Sequence, residues 1–475
     1  MCGKENKSAA KAGIGYTIGN VLIKGLSFLT LPIFTRLMST ADYGLYTTFV
    51  SYENIITLVS GLGLYASLKT AKIEYKDKVD SYVSTVSLLT IAFTCLLMLI
   101  AFPFKEQIGA FFGFNGYITL LMVAQAWASA VITMYNCRVS LDFAYKRYIA
   151  LSLIISVCNI CLSLGLILTV NKNDPFIGRV LGTSLPLIII AIILVIGFFH
   201  KASPERNRDF IKFGLDYSLP LIPHGVSQLI LAQFGKIIIQ KKIGNEAAGI
   251  YGFAYTIALI PQILASSLDT AWGPWFFETY EKGQINVIKK RATQYVALFS
   301  VATVGLFCVS PEIIKIMADK SYWSSIQIVC PAVLRVFFTF LYGIPAQIEY
   351  YYKKTKYTAV GTMLAAVLNI VFCMILVPKY GYEMAVYVTV ATYILYFTAH
   401  MIIAGWITKW KLPFNVKEIV CYTLIVCAMC AVMQAFLDKW LFRYLFTIAF
   451  CILVVFINRK GIIDFLETQF QKKTN

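Results

Sequence analysis

Apolar runs of roughly twenty residues recur from one end of this 475-residue chain to the other. Each is long enough to cross about 30 Å of hydrocarbon as a helix rising about 1.5 Å per residue. Hydrophobic residues make up 59% of the chain and charged ones 14%. A soluble domain stays near about 45–50% apolar because its surface needs polar groups. A membrane barrel would show alternating segments of about ten residues, and none is visible. The runs predict an all-α integral membrane protein of about fourteen transmembrane helices. They fall at 13–35, 43–68, 82–104, 116–138, 147–170, 176–199, 211–240, 247–272, 293–317, 325–351, 357–377, 382–406, 416–437 and 440–458. The run at 211–240 is long enough for two segments or one bent helix. The stretch holding Lys4, Lys7 and Lys11 lacks the apolar core and cleavage site of a removable signal, so the first span reads as a retained anchor.

A formal net charge of +18 raises the question of nucleic acid, which the distribution of charge answers. With the N-terminus inside, about 28 of the 42 Lys and Arg residues fall in inner segments and about 11 in outer loops. Inner clusters include Lys69/Lys72/Lys76/Lys78, Lys201/Arg206/Arg208/Lys212 and Lys353/Lys354/Lys356. This is the positive-inside bias, which predicts both termini on the cytoplasmic side and attraction to anionic membrane lipids rather than to nucleic acid. The pairs Cys158/Cys161 and Cys427/Cys430 lie inside apolar spans without further ligands nearby, so they read as small apolar residues. His200, His224 and His400 are too scattered for a metal site, and no cofactor is expected.

The chain repeats itself. Ala41-Asp42-Tyr43-Gly44-Leu45-Tyr46 returns as Ala247-Ala248-Gly249-Ile250-Tyr251, about 205 residues later. Tyr145-Lys146-Arg147-Tyr148 leading to Asn159 returns as Tyr352-Lys353-Lys354-Thr355-Lys356-Tyr357 leading to Asn369. Six helices separate matching elements, so both copies cross the membrane in the same sense, as in transporters that rock two bundles about a central site. The expected organisation is a six-helix lobe over 1–205, a second over 206–410, and two additional helices with a tail over 411–475. No loop exceeds roughly twenty residues, too few for a soluble domain.

Three stretches carry a family resemblance. They are Thr35-Arg36-Leu37-Met38-Ser39-Thr40-Ala41-Asp42-Tyr43-Gly44-Leu45-Tyr46, Ala271-Trp272-Gly273-Pro274-Trp275-Phe276-Phe277-Glu278, and Gly343-Ile344-Pro345 through Tyr351-Tyr352-Lys353-Lys354-Thr355-Lys356-Tyr357 to Val377-Pro378-Lys379-Tyr380-Gly381. Through them the chain resembles the polysaccharide and O-antigen-type flippases, within the superfamily of multidrug, oligosaccharidyl-lipid and polysaccharide exporters. The resemblance implies a two-lobed, V-shaped bundle with a central cavity lined by the first two helices of each half. It also implies a polyprenyl-pyrophosphate-linked oligosaccharide as cargo, moved to the outer leaflet of a bacterial plasma membrane for surface polysaccharide synthesis. A polysaccharide polymerase is the candidate protein partner. Where the family often has Asp-Arg near the outer end of span seven, this chain has Gly235-Lys236.

Charges within spans cost at least about 2.5–3.5 kcal/mol, so they are the first candidate functional residues. Lys24 lies about 18 Å below Arg36 at the outer end of the first helix, and Glu53 returns to nearly the same depth on the second. The two either line a cation-rich cavity or pair with each other. Arg335 is near mid-depth in span ten, and Lys236 is either functional or snorkels towards Lys241 and Lys242. His224, Gln228, Lys236 and Gln240 fall at four-residue steps with Ala232 filling the gap, and Tyr16, Asn20, Lys24 and Ser27 fall at three- or four-residue steps on span one. These stripes suit hydrogen bonds to sugar hydroxyls, with interhelical bonding as the plain alternative. Asp269 reads as interfacial, with an inner gate as the second reading. Pro32, Pro220, Pro223 and Pro261 permit bends.

The leading function is a flippase. A proton- or Na⁺-coupled multidrug antiporter is the rival within transport, though it would favour deep carboxylates, whereas here deep cations outnumber deep acids. A membrane polymerase or ligase is the rival among enzymes, and the sequence shows no acidic pair, nucleophile–base arrangement, ATP-binding Gly-rich loop or sizeable outer domain to support one.

Overall fold

A computed structural model describes the backbone of residues 2–474 and the side chains of residues 15, 16, 19, 21–270 and 272–457. Helices joined by short loops account for the described residues, and packing divides the chain into two units, Met1–Gly252 and Phe253–Asn475. The first holds α1 (Cys2–Leu37), α2 (Thr40–Ser60), α3 (Leu68–Glu74), α4 (Val79–Ala101), α5 (Lys105–Phe112), α6 (Gly116–Ser140), α7 (Tyr145–Leu168), α8 (Pro175–Lys201), α9 (Arg208–Ser218) and α10 (Ile222–Lys242). The boundary falls within α11 (Asn245–Ala258). The second unit continues with α12 (Ile260–Glu281), α13 (Ile285–Met317), α14 (Ile326–Tyr351), α15 (Thr355–Tyr380), α16 (Glu383–Ile407), α17 (Val416–Ala435) and α18 (Trp440–Thr474).

Among the described residues, eleven helical stretches are long and apolar enough to cross a membrane, and α11 with α12, bent by 43° at their junction, makes a twelfth if counted as one broken span. The first two predicted spans are present as α1 and α2 but stand outside that set. Asp42, Thr47, Thr48, Ser51, Glu53 and Asn54 make α2 unusually polar, and part of α1 lies outside the described side chains. The apolar helices present their side chains outward, as lipid-facing helices must. On α15, Leu364 and Ile375 are each 59% exposed, while its opposite face buries Thr362, Ala366, Asn369 and Cys373.

Local chemistry explains the element boundaries. Ser39 caps α2 through a capping box, its hydroxyl accepting from the Asp42 N–H while the Asp42 carboxylate accepts from the Ser39 N–H. This gives a structural role to the Ser-Thr-Ala-Asp part of the first repeated motif. Asn115 and Asp174 cap α6 and α8 by accepting from the Tyr117 and Ile177 N–H groups, and Pro175 opens α8 where no N–H is needed. The long seventh run is one helical stretch, Arg208–Lys242, in which a 3₁₀ turn at Leu219–Leu221 holding Pro220, with Pro223 following, joins two α-helices. Its first part, α9, is amphipathic and buries Phe210 against Tyr75 and Tyr82, at ring separations of 4.6 and 5.5 Å.

The basic end of the first unit is tied by charge. Arg138 reaches Asp80 at 2.8 Å and Asp142 at 2.5 Å, Lys72 meets Asp142 at 3.2 Å, and Lys201 meets Asp80 at 2.9 Å. Four elements, α3, α4, α6 and α8, are thereby linked through a single largely buried guanidinium. Arg138→Ala is expected to destabilise the protein by about 2 kcal/mol, the worth of charge-assisted hydrogen bonds lost from one centre. Thermal unfolding in detergent would register this as a lowered midpoint, whereas an unchanged midpoint would reduce the network to a solvated decoration.

Candidate functional site

In the first unit the polar side chains of α2 turn inward. Glu53, 6% exposed, accepts a hydrogen bond from Ser129 on α6 at 2.7 Å and one from Thr57 at 3.1 Å. Gln125, one turn before Ser129, accepts from Ser184 on α8 at 2.5 Å. Ser51, also on α2, donates to Gln233 on α10 at 3.1 Å, and the Lys236 ammonium donates to the same amide oxygen at 3.1 Å. Four helices therefore share buried polar contacts, as the low dielectric of a membrane interior demands.

The sequence-predicted residues divide on this frame. Lys236 joins the α2–α10 contact. His224 and Gln228 are half-buried along α10 on the predicted stripe. Lys24 and Arg36 are exposed on α1, and the Arg36 guanidinium lies 3.5 Å from the Pro32 carbonyl. The Asn20 side chain lies outside the described residues. No Lys24–Glu53 ion pair occurs among the described residues, because Ser129 and Thr57 already satisfy the carboxylate from within its own packing layer. Tyr16 packs edge-on against Tyr148 of α7 at 5.3 Å.

In the second unit Arg335 is 4% exposed on α14 and its guanidinium carbon lies 4.3 Å from the Tyr255 ring centre and 5.8 Å from that of Tyr393. Ring faces of negative potential thus surround a cation that lipid alone would not tolerate. Asp269 lines a cavity of about 170 Å³ between α12, α13 and α14. Asp269 is exposed on α12, which continues about 18 Å beyond it to Glu281.

Residues 9–280, more than half of the chain, match the polysaccharide biosynthesis protein family. The chain belongs to this family. A protein of the Haemophilus influenzae Lsg locus is 21% identical over 290 residues, covering 58% of this chain and 68% of that protein. The Staphylococcus aureus multidrug export protein MepA is 23% identical over 325 residues, covering 63% of this chain and 66% of that one. Among solved structures, the lipid II flippase MurJ in an inward closed conformation superposes with a TM-score of 0.75 at 16% identity, over 94% of this chain and 100% of that chain. The chain is a multi-pass membrane protein with the fold of the multidrug/oligosaccharidyl-lipid/polysaccharide exporter superfamily.

At the Gly235-Lys236 departure, a Cβ on Gly235 would lie 2.6 Å from the Tyr251 hydroxyl, so the outer end of that side chain would have to shift to admit an aspartate. Sequence reasoning missed three further buried or stacked groups. Nδ1 of His400 lies 2.5 Å from Oε1 of Glu349, with both side chains fully buried and Thr358 donating to Oε2 at 2.7 Å. Arg443, 2% exposed, reaches the Glu312 carboxylate and the Cys308 carbonyl. Arg179 stacks 3.6 Å over Phe34. The signal was available for Glu349 and His400, each a polar residue inside an apolar run, but 51 positions separate them.

Proposed function

We propose that this protein is a flippase that moves a polyprenyl-pyrophosphate-linked oligosaccharide from the cytoplasmic to the outer leaflet of a bacterial plasma membrane by alternating access. The observation that carries this reading is the likeness to a lipid II flippase across 94% of the chain, joined to the family match. The two repeats act as lobes over 1–205 and 206–410, with 411–475 appended and both termini cytoplasmic. Lys24, Arg36, Lys236 and Arg335 supply the positive charge that a pyrophosphate needs on leaving the head-group region. Asn20, His224 and Gln228 meet sugar hydroxyls, and Glu53 holds α2 to α6 beside them.

A second reading, a multidrug exporter, is favoured by the similarity to MepA. One assay separates the two. Proteoliposomes carrying a fluorescent polyprenyl-pyrophosphate oligosaccharide are expected to show transbilayer movement with wild type, reduced about tenfold or more by Lys24→Ala or Lys236→Ala, the loss of one charge-assisted phosphate contact. Export of cationic dyes without lipid movement would replace the flippase by the exporter. Undiminished flipping by folded variants would remove the two lysines from the site.

A further inference from the structure

The cavity between α12, α13 and α14 holds about 170 Å³, slightly more than the 150 Å³ or so of a cavity that admits benzene. It has room for one six-membered ring. Its aromatic wall is built from Trp272, Tyr295, Phe340 and Tyr342. Its polar wall is built from Gln262, Ser266, Asp269 and Thr339. Asp269 is exposed at the cavity and makes no ion pair among the described residues, so its carboxylate is open to a guest.

A second observation points to a ligand. Trp272 is 3% exposed, yet its indole N–H finds no acceptor among the described residues. A tryptophan buried in this way ordinarily bonds its N–H. The hydroxyls of Ser266 and Thr339 donate to the Ile263 and Arg335 carbonyls of their own helices, at 2.9 and 3.0 Å, which leaves their oxygens free to accept from a guest. The walls thus offer one strong acceptor, one orphaned donor, two hydroxyl acceptors and several flat apolar rings. A saccharide ring matches that set. Its hydroxyls donate to Asp269 and accept from Trp272, while its C–H face lies against the aromatic rings.

Resting on the lipid-linked saccharide reading, we propose that this cavity in the second unit is a subsite for one sugar ring of the transported glycan. Asp269 and Trp272 are its polar anchors.

The test compares two ligands on the purified full chain in detergent: polyprenyl pyrophosphate bearing an oligosaccharide, and the same lipid without sugar. Wild type is expected to bind the sugar-bearing lipid about tenfold more tightly, the worth of one hydrogen bond to a charged group. Asp269→Asn and Ala265→Phe, which fills the cavity from a position on its α12 wall, should each bring that ratio close to one while leaving affinity for the sugar-free lipid unchanged. A ratio that persists in both variants overturns the subsite, as does equal weakening of both lipids, which marks a folding or gating role. A wild-type ratio of one overturns the subsite while leaving the flippase reading standing. Wild type that binds neither lipid overturns both, and a cationic dye bound through Asp269 instead would assign the cavity to an amine.

Discussion

Replacing Gly44 by leucine is expected to destabilise the folded protein by about 3 kcal/mol or more, the upper range for forcing a side chain into a packed contact. A Cβ on Gly44 would stand 1.9 Å from the Asn245 carbonyl oxygen and 2.7 Å from the Gly249 nitrogen. A Cβ on Gly249 would stand 1.9 Å from the Thr40 carbonyl oxygen, and one on Gly252 would meet the Thr47 hydroxyl at 2.6 Å. The glycines of the two repeated motifs therefore meet each other, and α2 and α11 touch backbone to backbone. Small residues permit such approach in membranes, where no hydrophobic drive holds helices together and close packing supplies the attraction. No rotamer can relieve the clash, because the opposing atoms are backbone, so one helix has to move. Thermal unfolding in detergent tests this with a graded series. Gly44→Ala should lower the midpoint and Gly44→Leu should lower it further or abolish the folded protein. A leucine variant with the wild-type midpoint would show that α2 and α11 do not touch in the membrane.

Glu312→Ala should be comparably damaging, by about 3–5 kcal/mol, the usual consequence of leaving one buried charge without its counter-ion. Arg443 is 2% exposed, and Glu312 is the carboxylate that neutralises it, with one contact at 3.0 Å. The pair fastens α18 to α13, so its loss acts on the attachment of the last helix to the second unit. Removing the charge along with its partner separates this from simple truncation. The double variant Glu312→Leu/Arg443→Met is expected to recover most of the lost stability, since well-packed apolar substitutes for a buried pair cost little. If the double variant is as unstable as the sum of its parts, the pair contributes packing rather than charge balance.

Much of this protein was legible from sequence because a membrane imposes simple rules. Helix content follows from run length and the unsatisfiable backbone in lipid. The Pro220–Pro223 interruption foretold the break between α9 and α10, because proline removes the donor that a continuous helix needs. The motif around Gly44 was visible as a repeat, but its purpose was not, since a sequence does not say that Gly249 will be the partner.

The polar interior was decided by tertiary packing. Spacing brought Lys24 and Glu53 to one depth, yet hydrogen bonding is satisfied by whichever partner lies within about 3 Å, and for Glu53 that partner is Ser129, 76 positions away. The same rule joined Glu349 to His400 and Glu312 to Arg443. Periodicity fixes the face of a helix on which a residue lies. Only the packing of helices against one another determines which group that face meets, and so whether a buried charge is balanced, stacked or left to a ligand.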